Sequence, residues 1–246
     1  MKKLFWLVAA TAFSFGSPVS ADAFYGFFLG GGIWQSDYSG HVGEPSIGLK
    51  DLGFKDSNNG YYFLAIEHPI PFAPNVQLGR TNISSDQSAL IQQEFALDEV
   101  IFSVDAEVQT DFDLSHTDLT LYYQLLDNWF NFDVGINLRH FDGHAQASSE
   151  DQSESVKLDE ILPLLYVRAQ FDLPLTGFAL GASGKGISYS DNRLTETDIY
   201  LRYTLDSVMD VAFDLGYRSM DLKLDEKNIR ANAKLAGPYV GMLLHF

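Results

Sequence analysis

The sequence feature that most constrains the fold is a strict alternation of apolar and polar residues. Between 119 and 125 the odd positions hold Leu, Leu, Tyr and Leu, whereas the even positions hold Thr, Tyr and Gln. The same two-residue period recurs at 130–139, 198–205 and 209–218. Because successive side chains of a β-strand point to opposite faces of the sheet, each segment is predicted to be a strand with one apolar and one polar face.

Two folds produce such strands, and they bury opposite faces. In a soluble β-sandwich the apolar face points inward, whereas in an outer-membrane β-barrel it faces lipid and the polar face lines the lumen. The alternating segments run for about 9–12 residues, near the length of a tilted membrane-spanning strand and longer than the usual five or six. Strand length therefore favours the barrel.

The connections between the segments also favour a barrel. Those at 127–129, 174–177 and 206–208 are short, whereas those at 83–111 and 148–159 are long and polar. Outer-membrane barrels have short periplasmic turns and longer outer loops. The chain ends in Val240, Met242, Leu244 and Phe246 at alternate positions. The terminal Phe246 resembles the signal that such proteins present to the barrel assembly machinery.

The sequence thus predicts an all-β fold, a single up-and-down antiparallel transmembrane β-barrel of ten strands. An even number places both termini on the same, periplasmic side. Residues 84–104 are ambiguous between a hairpin that extends the third and fourth strands and a short helix, which leaves eight or twelve strands as alternatives. The expected strands are Phe24–Val42, Gly60–His68, Asn75–Ser85, Asp111–Leu126, Phe130–Ala147, Glu160–Leu173, Phe178–Ser190, Leu194–Leu205, Met209–Asp225 and Lys234–Phe246.

The N-terminus predicts export. Lys2 and Lys3 precede an apolar stretch at 4–15, which is shorter than the roughly 20 residues of a spanning helix. Small residues at 19–21 follow, as at a signal-peptidase site. We therefore expect a cleaved signal peptide at 1–21 and a barrel at 22–246, which takes the formal charge from −17 to −19.

The composition excludes several classes of protein. A net charge of −17 argues against nucleic-acid binding, which needs a basic surface. The absence of cysteine removes disulfides, thiolate metal sites and cysteine nucleophiles. A mean hydropathy of −0.05 excludes a bundle of membrane helices, and 46% hydrophobic residues exclude disorder.

The polar face of the strands carries charges of both signs, and a ten-stranded barrel is narrow enough for them to meet across the lumen. Charges removed from bulk water must be paired or hydrated. The set therefore predicts a structural network that fills the lumen, with a selective narrow pore or a ligand pocket as alternatives. The predicted lumen-lining charged residues are Glu67, Asp118, Asp133, Arg139, Arg168, Asp172, Lys185, Asp198, Arg202, Asp210, Asp214 and Arg218.

Glycines and aromatic residues fit the same fold. Gly30, Gly31 and Gly32 lack the following helix of a dinucleotide site, so we expect them to leave room for bulky neighbours or to let the strand bend. Aromatic residues near the strand ends predict two girdles at the headgroup level. The periplasmic girdle would contain Phe24, Tyr25, Phe72, Trp129, Phe130 and Phe178, and the outer one Trp34, Tyr38, Tyr61, Tyr62 and Tyr189.

Two His–Asp pairs are candidates for catalysis. His116 shares one strand face with Asp118, and Asp142 shares one with His144. Such pairs can orient a base beside a serine or a water, but the residue types are common and no serine stands out. The acidic run at 150–154 has no metal-loop spacing and is typical of a solvated loop. We therefore predict no catalytic residue, no metal site and no cofactor.

Several segments resemble a family of small, uncharacterised proteobacterial outer-membrane β-barrels named for a Gly-Gly feature. The resemblance lies in Gly30–Trp34 (GGGIW), Glu67–Asn75 (EHPIPFAPN), Asp113–Asn128 (DLSHTDLTLYYQLLDN), Arg139–Gly143 (RHFDG) and the terminal Phe246. It implies the location and the architecture. It supplies no catalytic or binding residue.

The functional prediction is an integral barrel in the outer membrane of a Gram-negative bacterium, with a mostly filled polar lumen and a structural or surface-interaction role. The first alternative is a porin-like narrow passive channel for small solutes or ions, and the second is an outer-membrane hydrolase or lipid-modifying enzyme. The expected partners are outer-membrane lipid, lipopolysaccharide and, during biogenesis, the assembly machinery. The expected state is a monomer.

Overall fold

The computed structural model describes residues 25–206, 209–226 and 229–246. The predicted signal peptide lies outside these residues. Among the residues described, no helix is long and apolar enough to cross a membrane. The strands of the described residues are β1 (Gly26–Val42), β2 (Ile47–Gly48), β3 (Ser57–Glu67), β4 (Asn75–Thr81), β5 (Ser84–Leu90), β6 (Phe95–Leu97), β7 (Val100–Phe102), β8 (Glu107–Asp113), β9 (His116–Leu126), β10 (Phe130–Ser148), β11 (Ser153–Asp172), β12 (Phe178–Tyr189), β13 (Asn192–Leu205), β14 (Asp210–Glu226) and β15 (Ile229–His245).

Ten strands close an antiparallel barrel in the order β1–β3–β4–β9–β10–β11–β12–β13–β14–β15 and back to β1. The closing pair runs from Phe28 opposite His245 to Val42 opposite Ala231. The predicted fold and strand number are confirmed, and the bounds of the expected strands differ from the observed ones mainly at the end opposite the termini. We call the end that carries Gly26 and Phe246 the terminal end, and the opposite one the distal end.

The barrel exposes its apolar face and buries its polar face. Leu165, Ile199 and Leu215 point outward and are 65%, 61% and 60% exposed. On the inward face, Asp133 and Arg139 are fully buried. Exposed apolar surface of this extent is foreign to a soluble monomer and is the lipid-facing band of a membrane barrel. Because apolar side chains point outward and charged ones point inward, the soluble β-sandwich is excluded.

The segment 148–159, expected to be a long polar loop, is mostly strand. β10 and β11 stay paired as far as Ser148 opposite Ser153, and Ser149 donates its backbone N–H to Gln152 O at 2.8 Å to close the turn. The prediction of a loop was wrong because the two-residue period continues: Val156 and Leu158 face inward. These strands consequently project beyond the apolar band.

The segment at 84–104, for which the sequence allowed a hairpin or a short helix, forms a hairpin. β5 continues β4 and pairs with β8, which leads into β9. β8 also pairs with the distal end of β10, from His144 opposite Asp113 to Ser148 opposite Gln109. Between β5 and β8, the short strands β6 and β7 form a second hairpin. These strands extend the distal wall and add none to the membrane-spanning barrel.

The aromatic residues form less regular girdles than predicted. At the terminal end, Phe72 and Trp129 are exposed as expected, whereas Phe24 lies outside the described residues. At the distal end, the prediction was wrong for Trp34 and Tyr38, which are fully buried. Both occupy inward positions of β1, so their rings pack inside the barrel rather than at a headgroup level. The prediction was wrong for Tyr61 as well, whose ring on β3 packs inside the barrel against Tyr239.

Inward glycines make room for inward rings, as expected for the Gly30–Gly32 run. A Cβ placed on Gly30 would lie 2.4 Å from the Phe63 ring. The same interlocking recurs at Gly216, where a Cβ would lie 2.4 Å from the ring of Tyr239 on the next strand. Since real carbon atoms do not approach so closely, glycine at these positions allows large rings to lie flat against the barrel wall.

Candidate functional site

The centre of the lumen holds a buried group of charged side chains built around Arg139. Arg139 projects inward from β10, where it donates to both carboxylate oxygens of Asp118 on β9, at 2.8 and 2.7 Å. Its remaining nitrogen lies 2.9 Å from Glu196 Oε2 on β13. The Arg139 side chain is fully buried. One guanidinium therefore bridges two carboxylates on opposite sides of the lumen.

Two further cations complete this group. Lys185 Nζ on β12 lies 2.7 Å from Asp118 Oδ2 and 3.9 Å from Glu196 Oε1. Arg218 Nη2 on β14 lies 2.9 Å from Glu196 Oε1. We call Asp118, Arg139, Lys185, Glu196 and Arg218 the charged network. With three cations and two carboxylates on five strands, it ties the barrel walls together across the lumen.

Aromatic rings surround the cations of the network. The Arg218 guanidinium carbon lies 4.9 Å from the centre of the Trp34 ring and 5.8 Å from that of Tyr61. The Arg139 guanidinium carbon lies 5.9 Å from the centre of the Phe141 ring. Cation–π contacts of this length stabilise a desolvated cation. They explain how the network carries one more positive than negative charge in a buried place.

Further ion pairs lie on the terminal side of the network. Arg202 donates to both oxygens of Asp214, at 2.7 and 2.8 Å. Arg168 Nε lies 2.9 Å from Asp133 Oδ2, without the alignment of a hydrogen bond. Asp198 accepts hydrogen bonds from the Ser183 hydroxyl and, at 3.2 Å, from the Tyr239 hydroxyl. Most charges here are thus matched by partners on neighbouring strands.

The carboxylates nearest the terminal end have polar neighbours. Glu67 accepts hydrogen bonds from the Tyr122 hydroxyl at 2.7 Å and from the Gln124 amide at 3.0 Å. Asp172 accepts one from the Asn131 amide at 2.9 Å. Asp210 lies at the barrel end, with Oδ2 3.7 Å from His245 Nδ1. All twelve predicted charges therefore occupy inward positions or the terminal rim.

Glu196 is the network member that the sequence prediction omitted. It is 4% exposed and pairs with three cations. Its position was available from the sequence, because it precedes Asp198 by two residues and so shares its inward face. Among the lumen carboxylates of the described residues, Glu196 pairs with the most cations.

Two polar cavities lie between the network and the terminal end. One of about 160 Å³ is bordered by Lys185, Glu196 and Arg218. The second, of about 350 Å³, is bordered by Glu67, Asp172 and other polar residues of the terminal rim. Arg168 and Arg202 border both cavities. The terminal half of the lumen is therefore polar and has room for water.

The distal half of the lumen is apolar, which the prediction of a polar lumen did not anticipate. Side chains from the loop between β1 and β3 and from the segment around β6 and β7 pack against the inner barrel wall in one cluster. Their shared property is that each is 6% exposed or less. We call this set the apolar plug, and its members are Ile47, Leu49, Leu52, Phe54, Ile91, Phe95 and Phe102.

The predicted His–Asp pairs do not form. The His116 ring is fully buried and its Nδ1 lies 2.9 Å from Leu114 O, while Asp118 belongs to the charged network. His144 Nε2 lies 3.2 Å from Asp111 Oδ2, and Asp142 pairs with Arg80 at 2.7 Å. The residues predicted to share a face do so, but none pairs within its predicted couple: His116 contacts a nearby backbone oxygen, and the other three pair with residues of other strands.

A polar cluster covers the outward face of β10 and β11 beyond the apolar band. Lys157 Nζ lies 2.6 Å from one oxygen of Asp159, and His140 Nε2 lies 3.0 Å from the other. The Lys157 ammonium and, next, the His140 ring lower the pKa of the Asp159 carboxyl. Among the described residues, no group of three or more His, Asp and Glu side chains is arranged to hold a metal ion.

The fold of the chain is similar to those of several solved structures. The chain is similar to the outer membrane protease OmpT from Escherichia coli (12% identity, TM-score 0.41, 90% of this chain and 96% of that chain). It is similar to a Pseudomonas aeruginosa FadL homologue (7%, 0.33, 90% and 89%). It is also similar to the P. putida toluene transporter TodX (6%, 0.34, 92% and 90%). No family model and no curated protein matches the sequence.

Proposed function

We propose that this chain is an integral outer-membrane β-barrel of a Gram-negative bacterium with a closed lumen and a structural and surface-interaction role. The lipid-facing band supports the membrane location. The terminal end has short turns, such as 127–129, and the distal end has the long connection at 82–115. This asymmetry supports periplasmic termini and an external distal end. We also propose membership of the Gly-Gly barrel family that the sequence resembles.

The observation that carries the proposal is that the charged network and the apolar plug lie one behind the other along the lumen, and each fills it. A solute entering from the terminal end passes the polar cavities and then meets the charged network, whose Arg139 is fully buried. Beyond it lies the apolar plug, where Leu52 and Phe95 are each 1% exposed. Water-filled pores leave their lining side chains accessible to solvent. Side chains this deeply buried therefore support a barrel that does not conduct.

Solute uptake by proteoliposomes tests this proposal. Folded wild-type protein, verified by a heat-modifiable gel shift, is reconstituted and mixed with a small sugar under osmotic load. Vesicles containing it are expected to swell no faster than empty ones, because the network and the plug block the lumen. Swelling faster than that of empty vesicles would favour the alternative, a narrow passive channel, for which the polar cavities of the terminal half would serve as the vestibule.

A pair of cations on the outer wall supports lipopolysaccharide as the surface partner. Arg193 on β13 lies directly opposite Lys223 on β14, and both face outward at the distal end. Like charges directly opposite each other destabilise a sheet unless an anion lies near them. Lipid phosphates in the outer leaflet supply such an anion when the distal end faces outward.

Copurified lipopolysaccharide measures this contact. The variant Arg193→Gln with Lys223→Gln is expected to retain less lipopolysaccharide after detergent extraction than wild type. The control is Lys50→Gln, which removes a distal cation that lies 3.5 Å from Asp37. Equal retention by both variants and wild type would remove lipopolysaccharide from the proposal.

We propose no catalytic activity. The buried His116 ring contacts Phe141, with ring centres 5.3 Å apart, and it does not line either polar cavity. His140 and His144 lie on the outer wall and pair with carboxylates. The hydrolase alternative is tested by replacing His140 and His144 with alanine and assaying lipid and peptide hydrolysis. A hydrolytic activity that depends on either residue would overturn this part of the proposal.

A further inference from the structure

The two polar cavities of the terminal half share side chains whose hydrogen-bonding groups are unused. Gln77 on β4 and Arg168 on β11 border both cavities. Within the described part of the chain, the Gln77 amide makes no hydrogen bond and Arg168 donates none, although its Nε lies 2.9 Å from Asp133 Oδ2. The Arg168 side chain is 26% exposed. The place where the cavities meet therefore presents free donors to a molecule inside the lumen.

The larger cavity carries carboxylates toward its opening. Glu67 and Asp172 border this cavity and not the smaller one. The groups that donate hydrogen bonds to these carboxylates are a tyrosine hydroxyl and side-chain amides, all of them neutral, and neither carboxylate forms an ion pair with a described residue. Asn128, an exposed residue of the turn after β9, also borders the cavity. The cavity thus opens at the terminal end, past uncompensated negative charge.

This distribution of charge restricts the ligand. At the inner end, Arg168 faces Asp133, and Arg202 donates to both oxygens of Asp214. A simple anion would pass the uncompensated carboxylates and then meet cations that already have counter-charges, so its desolvation would be poorly offset. A simple cation would leave the inner donors unused. A ligand with an acceptor group at its inner end and a cation at its outer end matches both parts of the cavity.

We propose that the terminal half of the lumen binds a short zwitterionic peptide of about three residues. Its terminal carboxylate accepts hydrogen bonds from Arg168 and Gln77, and its terminal ammonium lies beside the carboxylates of Glu67 and Asp172. A guanidinium suits a carboxylate because it offers parallel N–H groups. On the orientation proposed above, the peptide enters from the periplasm.

The dimensions of the cavity set the length of the peptide. Arg168 and Asp172 share the inward face of β11 and are four residues apart, about 13 Å along the strand. Three extended residues span about 10 Å, and the two side chains cover the remainder. The volume of about 350 Å³ lies within the range of pockets that hold small molecules. Phe28 and Phe63, on strands across the lumen from β11, also border the cavity and offer contacts to small side chains.

Isothermal titration calorimetry of the full protein in lipid nanodiscs tests the proposal, with trialanine as the probe and empty nanodiscs as the blank. Trialanine is expected to bind saturably, with one peptide per barrel. Trialanine amide lacks the carboxylate and N-acetyl-trialanine lacks the ammonium. Each should bind about tenfold to hundredfold more weakly, because hydrogen bonds to charged groups are the strong ones. No saturable binding of trialanine, or equal binding of either blocked peptide, would overturn the proposal.

Variants assign the two ends of the peptide to residues. Arg168→Gln should weaken trialanine binding by about tenfold to hundredfold and affect trialanine amide less. Glu67→Gln should weaken trialanine binding and leave N-acetyl-trialanine unchanged, because the acetylated peptide has no ammonium. Gln77→Leu should weaken trialanine binding by about twofold to tenfold. Its matched control is Gln35→Leu on the outward face of β1, which should bind trialanine as wild type does.

The variants also define how the proposal fails. Unchanged trialanine affinity in Glu67→Gln would overturn the outer end of the assignment. If Arg168→Gln does not fold because Asp133 loses its cation, Gln77→Leu decides the inner end, since it breaks no described hydrogen bond. Unchanged trialanine affinity in Gln77→Leu would then overturn that end. Solute passage is measured separately by vesicle swelling, so peptide binding and closure of the lumen can fail independently.

Discussion

The charged network and the apolar plug close the same lumen by opposite physical means. The network consists of wall residues from five strands, and its ion pairs must offset the cost of removing charges from water. The plug consists of residues from the connections between barrel strands, and each Å² of apolar surface that it removes from water contributes about 25 cal/mol to the free energy of unfolding. Buried ion pairs are weak sources of stability, but they demand defined partners. The network thus fixes how the walls face one another, and the plug stabilises the distal half.

The largest effect is expected from Glu196→Gln in the network. It removes the carboxylate that three cations share and leaves Arg139, Lys185 and Arg218 with Asp118 alone. Breaking a buried pair by removing one partner costs about 3–5 kcal/mol. Urea unfolding of the folded protein in lipid vesicles measures this loss.

Two further variants test whether Glu196→Gln loses stability because it leaves buried cations unpaired or because packing is lost. Adding Arg218→Met to Glu196→Gln restores the original excess of one positive charge and should recover part of the stability. Arg139→Met alone leaves two cations facing two carboxylates, so it should cost less than Glu196→Gln. The opposite order of these two variants would show that charge balance does not govern the network.

The plug is probed by Leu52→Ala. Leu52 is 1% exposed, and truncating such a leucine costs about 2–5 kcal/mol through lost burial and the cavity left behind. The matched control is Leu90→Ala on β5, where the leucine is 59% exposed and the cost should stay within about 0.5 kcal/mol. Equal costs in urea unfolding would mean that the plug is not a packed core.

Glycine substitutions test the packing of rings beside the network. Gly216→Ala places a Cβ 2.4 Å from the Tyr239 ring, so overpacking should cost about 1–3 kcal/mol. Gly60→Ala on β3 is the control, because its Cβ would meet no atom within 4 Å. Thermal unfolding by gel shift compares the two, and a Gly216→Ala variant as stable as wild type would show that Tyr239 can move aside.

The smallest effect is expected where a charge pair is exposed. Arg80 and Asp142 lie 2.7 Å apart, as Arg139 and Asp118 do, but their side chains are 23% and 42% exposed rather than 0% and 7%. A double-mutant cycle on Arg80 and Asp142 should give a coupling of about 0.2–1 kcal/mol. A coupling energy as large as the stability lost in Glu196→Gln would show that burial does not explain the difference between the two sites.

The network was largely predictable from the sequence and the plug was not, for a physical reason. Strand residues alternate between two faces, so the inward position of Arg139 or Asp118 follows from its parity along the chain. Glu196 followed from the same rule and was overlooked. The inward positions of Val156 and Leu158 also follow from the two-residue period, which continues through the distal part of β11.

Leu52 and Phe95 lie in connections that have no period, and their partners are distant in sequence. Their burial depends on how two loops fold across a barrel whose distal walls are extended by β5 and β8. Local sequence patterns predict which strand a residue belongs to and which face it occupies. They do not predict against which part of the barrel a loop packs.

Single-channel recording of the wild-type protein in a planar bilayer tests the closure of the lumen most directly. Insertion is verified by the heat-modifiable gel shift of the same preparation, and an open porin in the same bilayer is the positive control. Because the network and the plug lie in series, folded protein is predicted to give no conductance steps. Discrete steps whose size changes in Arg202→Gln or Asp214→Asn would contradict the account and show that ions pass along the inner face.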